Sequence, residues 1–334
     1  MEIRVAVIGA GSWGTTVAHL VAANAPTVLW ARRPEVAEEI ASRHTNERYL
    51  PGSALHPALD ATSLLEDAVG GADVVVMGVP SHGFRETLKE VAQHLRPWVP
   101  VLSLTKGFEQ GTRLRMTEVV AELLPGHPVG VLTGPNLAKE ILAGHAAASV
   151  IAMSEPSVGE RLQTLFAGSR FRVYTNHDVV GSEVAGALKN VMALASGMAD
   201  GIGAGDNTRA AVMTRALAEL TRLGVALGGE PMTFAGLAGM GDLVATCSSQ
   251  QSRNRHVGEQ LGRGRTVDEI VAEMSMVAEG VKTAPVAAEL ARVHGVEMPI
   301  VEQVARVVAG ECTAVDAYLN LLARDPRPEV YGLG

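Results

Sequence analysis

The few lysines of this chain are the first candidates for chemistry. Lysine and arginine together number 28 among 334 residues, and five of them are lysine: Lys89, Lys106, Lys139, Lys189 and Lys282. Burial or a second cation lowers the pKa of an ammonium group, so that a lysine can exchange protons near neutral pH, whereas a guanidinium stays charged. Lys89 and Lys139 neighbour glutamates in polar helical stretches, but Lys106 and Lys189 do not. We therefore predict that Lys106 and Lys189 are functional.

Each of these two lysines also has an ordinary structural interpretation. Lys106 follows the apolar run VLSL, and ligands bind outside the carboxyl ends of the strands in an open α/β sheet. It could equally be a surface lysine at a strand end. Lys189 borders the apolar face of a predicted helix, where it could serve as a general acid or base. It could also extend its ammonium group to solvent from the edge of that face.

A glycine-rich segment further along the chain could orient a lysine and bind a phosphate group. It runs through residues 236–243 with the acid Asp242, and Ser252, Arg253, Asn254 and Arg255 follow. Arginine recognises phosphate through two parallel hydrogen bonds, and asparagine can both donate and accept. Taken alone, Asp242 could instead be a helix cap.

A second glycine-rich segment, at the start of the chain, has the spacing of a dinucleotide-binding turn. Gly9, Gly11 and Gly14 directly follow an apolar strand-like run, and a helical pattern begins near Ser12. Such a turn lets the backbone approach a pyrophosphate, which the N–H groups and positive dipole end of the helix then bind. The position between a strand and a helix makes a purely structural turn the weaker interpretation.

The end of the second predicted strand indicates which dinucleotide is bound. Proteins of this class that prefer NAD place an acid there for the ribose 2′-hydroxyl, but this chain has Arg32 and Arg33. Two guanidinium groups can bind a 2′-phosphate, which a carboxylate would repel. We therefore predict that NADP(H) is preferred or at least accepted. The alternative interpretation is that one of the two arginines simply faces solvent.

The elements that must position these residues divide the chain into two predicted domains. Near-continuous apolar strands alternate with helices up to about residue 177, which predicts a Rossmann-type doubly wound, mostly parallel sheet in an α/β fold. From residue 178 onward the apolar spacing is helical, which predicts an all-helical C-terminal domain. The predicted domains are therefore 1–177, with the candidate NAD(P)-binding turn, and 178–334, a helical domain that contains Lys189 and that we predict to bind substrate and carry out catalysis.

Composition excludes several classes of partner. The net charge of −8 and the lack of a dense basic stretch argue against nucleic acid, and no apolar run is long enough to span a bilayer. The ten histidines show no metal-ligand spacing, so we predict no metal site. Two cysteines without a predicted signal peptide suggest reduced thiols and a cytoplasmic protein.

Together these segments resemble the glycerol-3-phosphate dehydrogenase family in its bacterial NAD(P)-dependent form. The similar segments are GAGSWGTT at 9–16, RYLPG at 48–52, VPSH at 79–82, TKG at 105–107, GPNLAKE at 134–140, GALKNVMALASGMADGIGAGDN at 186–207, GMGDLVATC at 239–247, SRNR at 252–255 and VAEGVKT at 277–283. The resemblance implies reversible reduction of dihydroxyacetone phosphate to sn-glycerol 3-phosphate for glycerophospholipid synthesis, with NADP(H) or NAD(H) as cofactor. A homodimer is a further expectation.

The resemblance also assigns roles to residues at matched positions. Lys189 is expected to exchange the proton at the carbonyl oxygen, with Lys106, Asp242 and Thr246 around it. The expected substrate contacts are Lys106, Gly134, Asn136, Lys189, Asp242, Ser252, Arg253 and Asn254. The expected cofactor contacts are Gly9, Gly11, Ser12, Trp13, Gly14, Arg32, Arg33, Tyr49, Lys106, Ala138, Arg253, Val277 and Glu279. One position departs from the family, which commonly has serine where this chain has Asn136, and there we expect an altered substrate contact.

Two other functions stay open on the sequence alone. Another lysine-using dehydrogenase with two domains, acting on a β-hydroxyacid or on 6-phosphogluconate, would share the predicted fold. A non-catalytic NAD(P)-sensing regulator would need the glycine turn but not two lysines and Asp242. Against the rival dehydrogenase, the segment Ser252–Arg255 favours phosphate on a short substrate.

Overall fold

The computed structural model describes residues 2–274, 278–326, 328 and 329. The chain forms two compact units, one of residues 1–105 and 114–179 and the other of residues 106–113 and 180–334. The short segment 106–113, which lies within the predicted first domain, thus belongs to the second unit. The functional division, with cofactor in one domain and substrate in the other, stays a prediction.

The first unit is built on one sheet of eight strands with helices along the chain between them. Its strands are β1 Val5–Ile8, β2 Thr27–Trp30, β3 Leu59–Thr62, β4 Val74–Met77, β5 Val101–Ser103, β6 Val129–Thr133, β7 Ala147–Met153 and β8 Phe171–Asn176. Its helices are α1 Ser12–Ala22, α2 Pro34–Arg43, α3 Leu65–Val69, α4 Ser81–Ala92, α5 Met116–Leu123, α6 Ala138–Leu142 and α7 Pro156–Phe166. The strand order is β3-β2-β1-β4-β5-β6-β7-β8. All neighbouring strands pair in parallel except β6 and β7.

The sheet is covered on both faces, which explains why its central strands are apolar throughout. Along β1, Val5 and Val7 belong to one buried cluster, and Ala6 and Ile8 belong to another. Successive side chains of a strand point to opposite faces, so both faces of β1 pack against helices. The predicted mostly parallel, doubly wound sheet is confirmed.

The sequence pattern predicts strands at 3–8, 27–30, 73–79, 100–104, 129–132 and 147–152, and it predicts none at the two edge strands, β3 and β8. Strand β8 alternates between buried and exposed side chains over its first four residues, and only the first residue of β3 is buried. An edge strand with one solvated face lacks the continuous apolar run by which the inner strands were identified. The predicted strands therefore covered only the middle of the sheet.

The described part of the second unit consists of helices and connecting turns. They are α8 Val179–Gly201, α9 Asp206–Ala226, α10 Pro231–Ala235, a π-helical turn over Leu237–Gly241, α11 Asp242–Ser248, α12 Arg253–Gly262, α13 Val267–Glu273, α14 Glu279–Val293, α15 Pro299–Val308 and α16 Ala314–Leu322. Helix α8 is buried around most of its circumference and lies at the centre of the unit's hydrophobic core. The predicted helical C-terminal half is confirmed. No helix in the described residues has the length and apolar character needed to cross a membrane.

Helices α8 and α12 pack in direct backbone contact along a seam of glycines. A Cβ atom on Gly258 of α12 would overlap the carbonyl oxygen of Leu194, and one on Gly197 of α8 would overlap that of Arg255. Gly201 and Gly262, one turn further along each helix, meet the opposite backbone in the same way. Because residue numbers rise together along both helices, the two run parallel. The seam holds the first turn of α12 beside residue 190 of α8.

Candidate active site

Two lysines of the second unit share one buried aspartate. Lys106 Nζ lies 2.6 Å from Asp242 Oδ2, and Lys189 Nζ lies 2.9 Å from Asp242 Oδ1. Lys189 also donates to Thr246 Oγ1 over 2.7 Å, and the Thr246 hydroxyl donates to Asp242 Oδ1 over 3.1 Å. The Asp242 side chain is 2% exposed and that of Lys189 is 9% exposed. The four residues predicted as catalytic thus form one hydrogen-bonded cluster.

Three separate elements bring this cluster together. Lys189 projects from the long helix α8, and Lys106 begins the short segment 106–113. Asp242 and Thr246 stand four residues apart in α11, so they lie on one helical face. The π-helical turn directly before Asp242 closes with a hydrogen bond from Gly241 N–H to the Gly236 carbonyl. Such turns are rare and often occur at functional sites.

Burial and the neighbouring charges shift the pKa values in the cluster. Burial lowers the pKa of Lys106 to about 8, and the Lys189 ammonium acts in the same direction, while the Asp242 carboxylate opposes both. Burial alone would raise the pKa of Asp242, but the two ammonium groups outweigh it and hold that pKa below its ordinary value. Asp242 therefore stays a carboxylate at neutral pH, and Lys106 loses its charge near pH 8.

A chain of amide hydrogen bonds leads from α14 to Lys106. Gly280 N–H donates to Asn254 Oδ1, Asn254 Nδ2 donates to Asn190 Oδ1, and Asn190 Nδ2 donates to the Lys106 carbonyl, each over 2.9 Å. Asn190 is absent from the predicted site. Its signal in the sequence was a polar side chain within the run of small and apolar residues around Lys189. Asn254 is expected to bind the substrate phosphate. Its carboxamide oxygen and its carboxamide nitrogen both hydrogen-bond to other residues of the chain.

The other residues predicted around the substrate phosphate lie at the first turn of α12. Ser252 caps the helix, because its Oγ accepts from Arg255 N–H over 3.2 Å. Arg253 is the first residue of the helix, and the carboxylate of Glu279 interacts with it electrostatically. Arg255 forms an ion pair of 2.6 Å with Asp200. Val277, predicted to line the cofactor, lies outside the described residues.

The glycine turn of the first unit has the shape that a dinucleotide needs. Gly9 has a φ of 115°, and a Cβ there would lie 2.7 Å from the Gly78 carbonyl oxygen. A Cβ on Gly14 would overlap the Gly9 carbonyl oxygen, whereas no atom lies within 4 Å of the Cβ position of Gly11. Gly9 and Gly14 are therefore required for packing, and Gly11 leaves open space at the N-terminus of α1. These residues fit the pyrophosphate of NAD(P).

Several other predicted cofactor contacts lie in the first unit, namely Ser12, Trp13, Arg32, Arg33, Tyr49 and Ala138, whereas Lys106, Arg253 and Glu279 belong to the second unit. Ser12 Oγ donates to the Tyr49 carbonyl over 3.0 Å, and the Trp13 ring lies 6.4 Å from that of Phe171. Arg32 and Arg33 are exposed directly after β2, and Arg33 lies 3.6 Å from Glu35. Ala138 is the first residue of α6. The two arginines are accessible to a 2′-phosphate.

Asn136 follows the carboxyl end of β6 and is tied to β7. Ser149 Oγ lies 2.8 Å from Asn136 Oδ1 and 3.0 Å from the Thr133 carbonyl oxygen. Asn136 Nδ2 is buried and has no hydrogen-bond partner in the described residues. Gly134, with a φ of 134°, packs its Cα against Ser149. Asn136 Nδ2 is thus a buried donor without an acceptor in the described part of the chain, and its role as a substrate contact stays a prediction.

Neither metal ligation nor thiol chemistry is supported in the described residues. They contain no group of three or more histidine, cysteine or acidic side chains that could hold a metal ion. Both cysteines are free, and burial raises the pKa of Cys247 to about 12. A thiol with that pKa is not a nucleophile at neutral pH.

Comparison with protein families gives matches to both halves of the chain. A model described as NAD-dependent glycerol-3-phosphate dehydrogenase N-terminus matches residues 4–158. A model described as NAD-dependent glycerol-3-phosphate dehydrogenase C-terminus matches residues 178–318. The two models together cover most of both structural units.

Individual relatives match over nearly their full length. The chain is 60% identical to "Glycerol-3-phosphate dehydrogenase [NAD(P)+] 2" of Sphingopyxis alaskensis, over 96% of this chain and 97% of the relative. It is 56% identical to "Glycerol-3-phosphate dehydrogenase [NAD(P)+]" of Mycobacterium avium, over 100% of this chain and 98% of the relative. Among solved structures, glycerol-3-phosphate dehydrogenase of Coxiella burnetii superimposes with a TM-score of 0.92 at 36% identity, covering 97% of this chain and 99% of that one.

Proposed function

The chain belongs to the NAD-dependent glycerol-3-phosphate dehydrogenase family, and we propose that it interconverts dihydroxyacetone phosphate and sn-glycerol 3-phosphate with NAD(P)H as the reductant. The observation that carries this proposal is the buried cluster of Lys106, Lys189, Asp242 and Thr246. A regulator that only senses the cofactor would have no use for two lysines held on one carboxylate. The reaction would supply the glycerol phosphate backbone of phospholipids.

In the proposed mechanism, Lys189 is the proton donor to the substrate oxygen. An ammonium group has three hydrogens, and two of those on Lys189 are engaged by Asp242 and Thr246. The third can meet the substrate carbonyl, so Asp242 and Thr246 hold the donor in one orientation. As the carbonyl is reduced, this proton passes from Lys189 Nζ to the developing alkoxide oxygen, and in the oxidation it returns.

Lys106 is proposed to stabilise the negative charge that develops on the same oxygen. With both lysines protonated, the cluster carries two positive charges and one negative charge, and it is largely shielded from water. Fixed charges act strongly on a developing alkoxide where water is excluded. A bound NAD(P)H supplies the hydride that makes reduction of the ketone possible.

The first turn of α12 is proposed to bind the substrate phosphate. Arg253 offers a forked set of donors at a helix N-terminus, where the helix dipole also favours a dianion. Asn254 anchors this turn to Asn190 through its carboxamide and retains one further amide hydrogen. Binding energy from the phosphate can then orient the reacting carbonyl. Ser252, Gly134 and Asn136 are proposed as further substrate contacts.

The proposed cofactor contacts follow the glycine turn and the loops around it. Gly9, Gly11 and Gly14 shape the pyrophosphate site, with Ser12 and Trp13 at the start of α1. Arg32 and Arg33 are proposed to bind the 2′-phosphate of NADP(H), which their exposure after β2 supports. Tyr49, Ala138, Glu279, Lys106 and Arg253 complete the proposed set, and Val277 stays a prediction. A cytoplasmic homodimer is also proposed, and light scattering of the purified protein would test the assembly state.

A substrate panel tests the proposed reaction. Loss of NADPH absorbance is followed with dihydroxyacetone phosphate, with dihydroxyacetone and with short carbonyl acids, and oxidation of 6-phosphogluconate is followed with NADP⁺. We expect rapid turnover of dihydroxyacetone phosphate alone, and a repeat with NADH gives the cofactor preference. Turnover of a carboxylated compound instead would support the rival hydroxyacid or phosphogluconate activity, and no turnover would support a sensing role.

A further inference from the structure

A loop of the first unit, residues 44–55, is folded by its own contacts and lies against the glycine turn. Leu55 N–H donates to the His44 carbonyl over 2.8 Å, and Thr45 pairs with Ala54 in an antiparallel bridge. The Glu39 carboxylate accepts from Thr45 Oγ1 over 2.9 Å and from Glu47 N–H over 2.8 Å. This loop, here named the strap, therefore has a defined shape at the end of α2.

Asn46 is the residue by which the strap reaches the glycine turn. Its side chain is fully buried, and its Nδ2 donates to the Ala10 carbonyl over 3.0 Å and to Thr15 Oγ1 over 2.9 Å. A carbonyl oxygen can only accept, so the amide end of Asn46 must face Ala10. Both hydrogens of that amide are used, one on each side of the first turn of α1.

The bond to Ala10 determines the direction of the next N–H group. A trans peptide is planar, so the Ala10 carbonyl and the Gly11 N–H point in opposite directions from one rigid unit. Holding the carbonyl on the strap side directs the Gly11 N–H away from the strap. Gly11 is also the glycine with open space at its Cβ position. Without this hydrogen bond the Ala10–Gly11 peptide could rotate, and the Gly11 N–H would then no longer point at a bound phosphate.

The strap makes a second contact with the same turn. Ser12 Oγ donates to the carbonyl of Tyr49, three residues after Asn46. Ala10 and Ser12, on either side of Gly11, are thus both hydrogen-bonded to the strap. The Asn46 side chain donates to the Ala10 carbonyl, and the Ser12 side chain donates to the Tyr49 carbonyl. These contacts fix the turn before any ligand arrives, which reduces the entropy lost on binding.

We infer that Asn46 is a positioning residue for the dinucleotide, acting through the Ala10–Gly11 peptide to aim the Gly11 N–H at the pyrophosphate. The inference rests on the proposed function only in taking NAD(P) as the ligand of this turn. It does not depend on which substrate is reduced. The Asn46 side chain is fully buried against the turn, so its removal should weaken cofactor binding without changing proton transfer.

The test is NADPH binding to the full-length protein without substrate, by calorimetry or by NADPH fluorescence. Asn46→Asp keeps the shape but turns an oxygen toward the Ala10 carbonyl, and Asn46→Ala removes the donors without that repulsion. We expect both variants to raise the Kd for NADPH by at least about tenfold. The Kd for adenosine 2′-monophosphate, which has the 2′-phosphate but no pyrophosphate, should change less than about twofold.

Thr45→Val is the matched control, because it removes the strap's hydrogen bond to Glu39 and leaves Asn46 in place. We expect its Kd for NADPH to stay within about twofold of wild type. In steady-state kinetics, the Asn46 variants should have a higher KM for NADPH than wild type. At saturating NADPH, their kcat and their KM for dihydroxyacetone phosphate should equal those of wild type.

Two outcomes would overturn the inference. One is wild-type NADPH affinity in a folded Asn46→Asp or Asn46→Ala protein, with folding judged from the melting temperature of each variant. The other is an equal loss of affinity for adenosine 2′-monophosphate, which would show general damage to the unit. Failure of the proposed function is distinguishable, because it would appear in wild type as NADPH binding without reduction of dihydroxyacetone phosphate.

Discussion

Asp242 balances two ammonium groups that would otherwise repel each other in a buried position. Taking either lysine out of water is costly, and the shared carboxylate with Thr246 offsets that cost through short hydrogen bonds. With both lysines protonated, the same arrangement leaves one net positive charge beside the position proposed for the alkoxide. This net charge is what the proposed stabilisation of an alkoxide requires.

Lys189→Ala should abolish turnover while leaving NADPH binding intact. We expect kcat for dihydroxyacetone phosphate reduction to fall by about a thousandfold or more, because both the proton donor and its charge are lost. Lys89→Ala, at an exposed lysine of α4, is the control and should be near wild type. Steady-state turnover and NADPH titration measure the two effects. A Lys189→Ala protein with near-normal turnover would show that the assigned role is wrong.

The activity should depend on pH through Lys106. Its pKa of about 8 means that the ammonium is charged below pH 8 and neutral above it. We expect kcat/KM for dihydroxyacetone phosphate reduction to decline as pH rises through about 8, because a stabilising positive charge disappears. Lys106→Arg, whose guanidinium stays protonated, should lower the rate but move this decline to higher pH. An unchanged alkaline decline in Lys106→Arg would assign it to another group.

Helix packing determines how α8 and α12, which carry the proposed substrate contacts Lys189 and Arg253, lie against each other. The glycines of the seam have no side chains to separate the two helices. Backbone contact therefore fixes the position of α12 along α8 to within a fraction of a helical turn. Asn190 and Asn254 hydrogen-bond at the end of this seam. The spacing between Lys189 and Arg253 is thus determined by backbone contact and not by flexible side chains.

Gly258→Ala should destabilise the second unit, because its Cβ would overlap the Leu194 carbonyl oxygen. Overpacking of this kind costs about 1–3 kcal/mol, and more where backbone must move. Gly83→Ala in α4 is the matched control, since no atom lies within 4 Å of its Cβ position. That change should stabilise by about 0.4–1 kcal/mol. Denaturant unfolding of both variants measures the difference, and equal effects would contradict the seam.

The start of α15 depends on a buried acid from α9. Glu219 accepts from Ile300 N–H over 2.9 Å and from Val301 N–H over 3.3 Å, so it satisfies the first turn of α15. Burial nevertheless raises the pKa of Glu219 to about 7, against the lowering effect of those N–H groups. The carboxylate is therefore less favoured in the folded protein than in the unfolded chain.

Stability should consequently fall with rising pH through Glu219. Its pKa is higher in the folded state, so folded protein binds the proton more tightly between about pH 4.5 and pH 7, and deprotonation in that window costs stability. Glu219→Gln does not titrate. We expect the unfolding free energy of wild type relative to Glu219→Gln to decrease across that window and to level off above it. A constant or increasing difference would contradict the raised pKa.

Each unit has its own hydrophobic core. The proposed cofactor and substrate contacts are distributed over both units. A ligand that binds only the folded protein raises the free energy of unfolding. The increase is about 2.7 kcal/mol when the ligand concentration is a hundred times its Kd. The glycine turn lies in the first unit and Lys189 in the second. Mutations at the glycine turn and at Lys189, which is not a proposed cofactor contact, should therefore separate cofactor binding from proton transfer.

Calorimetric scans can test this separation. We expect NADPH to raise the melting temperature of wild type and of Lys189→Ala by the same amount, because Lys189 is not a proposed cofactor contact. The variant Gly11→Val should lose the shift, since its side chain would occupy the space left for the pyrophosphate. Adenosine alone serves as the ligand control. A Lys189→Ala protein without any NADPH shift would contradict the division.

Local pattern was sufficient for the glycine turn, the inner strands and the change to helical spacing near residue 178, because each depends on residues close together in the chain. It also singled out Lys106, Lys189 and Asp242 through residue type and the resemblance of their segments to one family. The edge strands β3 and β8 were missed, since a half-solvated strand carries a weak apolar signal.

Tertiary structure decided what the side chains do with one another. The pairing of Lys106 with Asp242 spans 136 positions, and the contact of Asn46 with Ala10 spans 36. Composition and periodicity report burial and secondary structure but not which distant elements meet. Asn190 and Asn46 read as ordinary polar residues until folding buries them, and burial then requires an acceptor for each amide nitrogen, which the carbonyls of Lys106 and Ala10 supply. That requirement, which acts only in the folded chain, selects their roles.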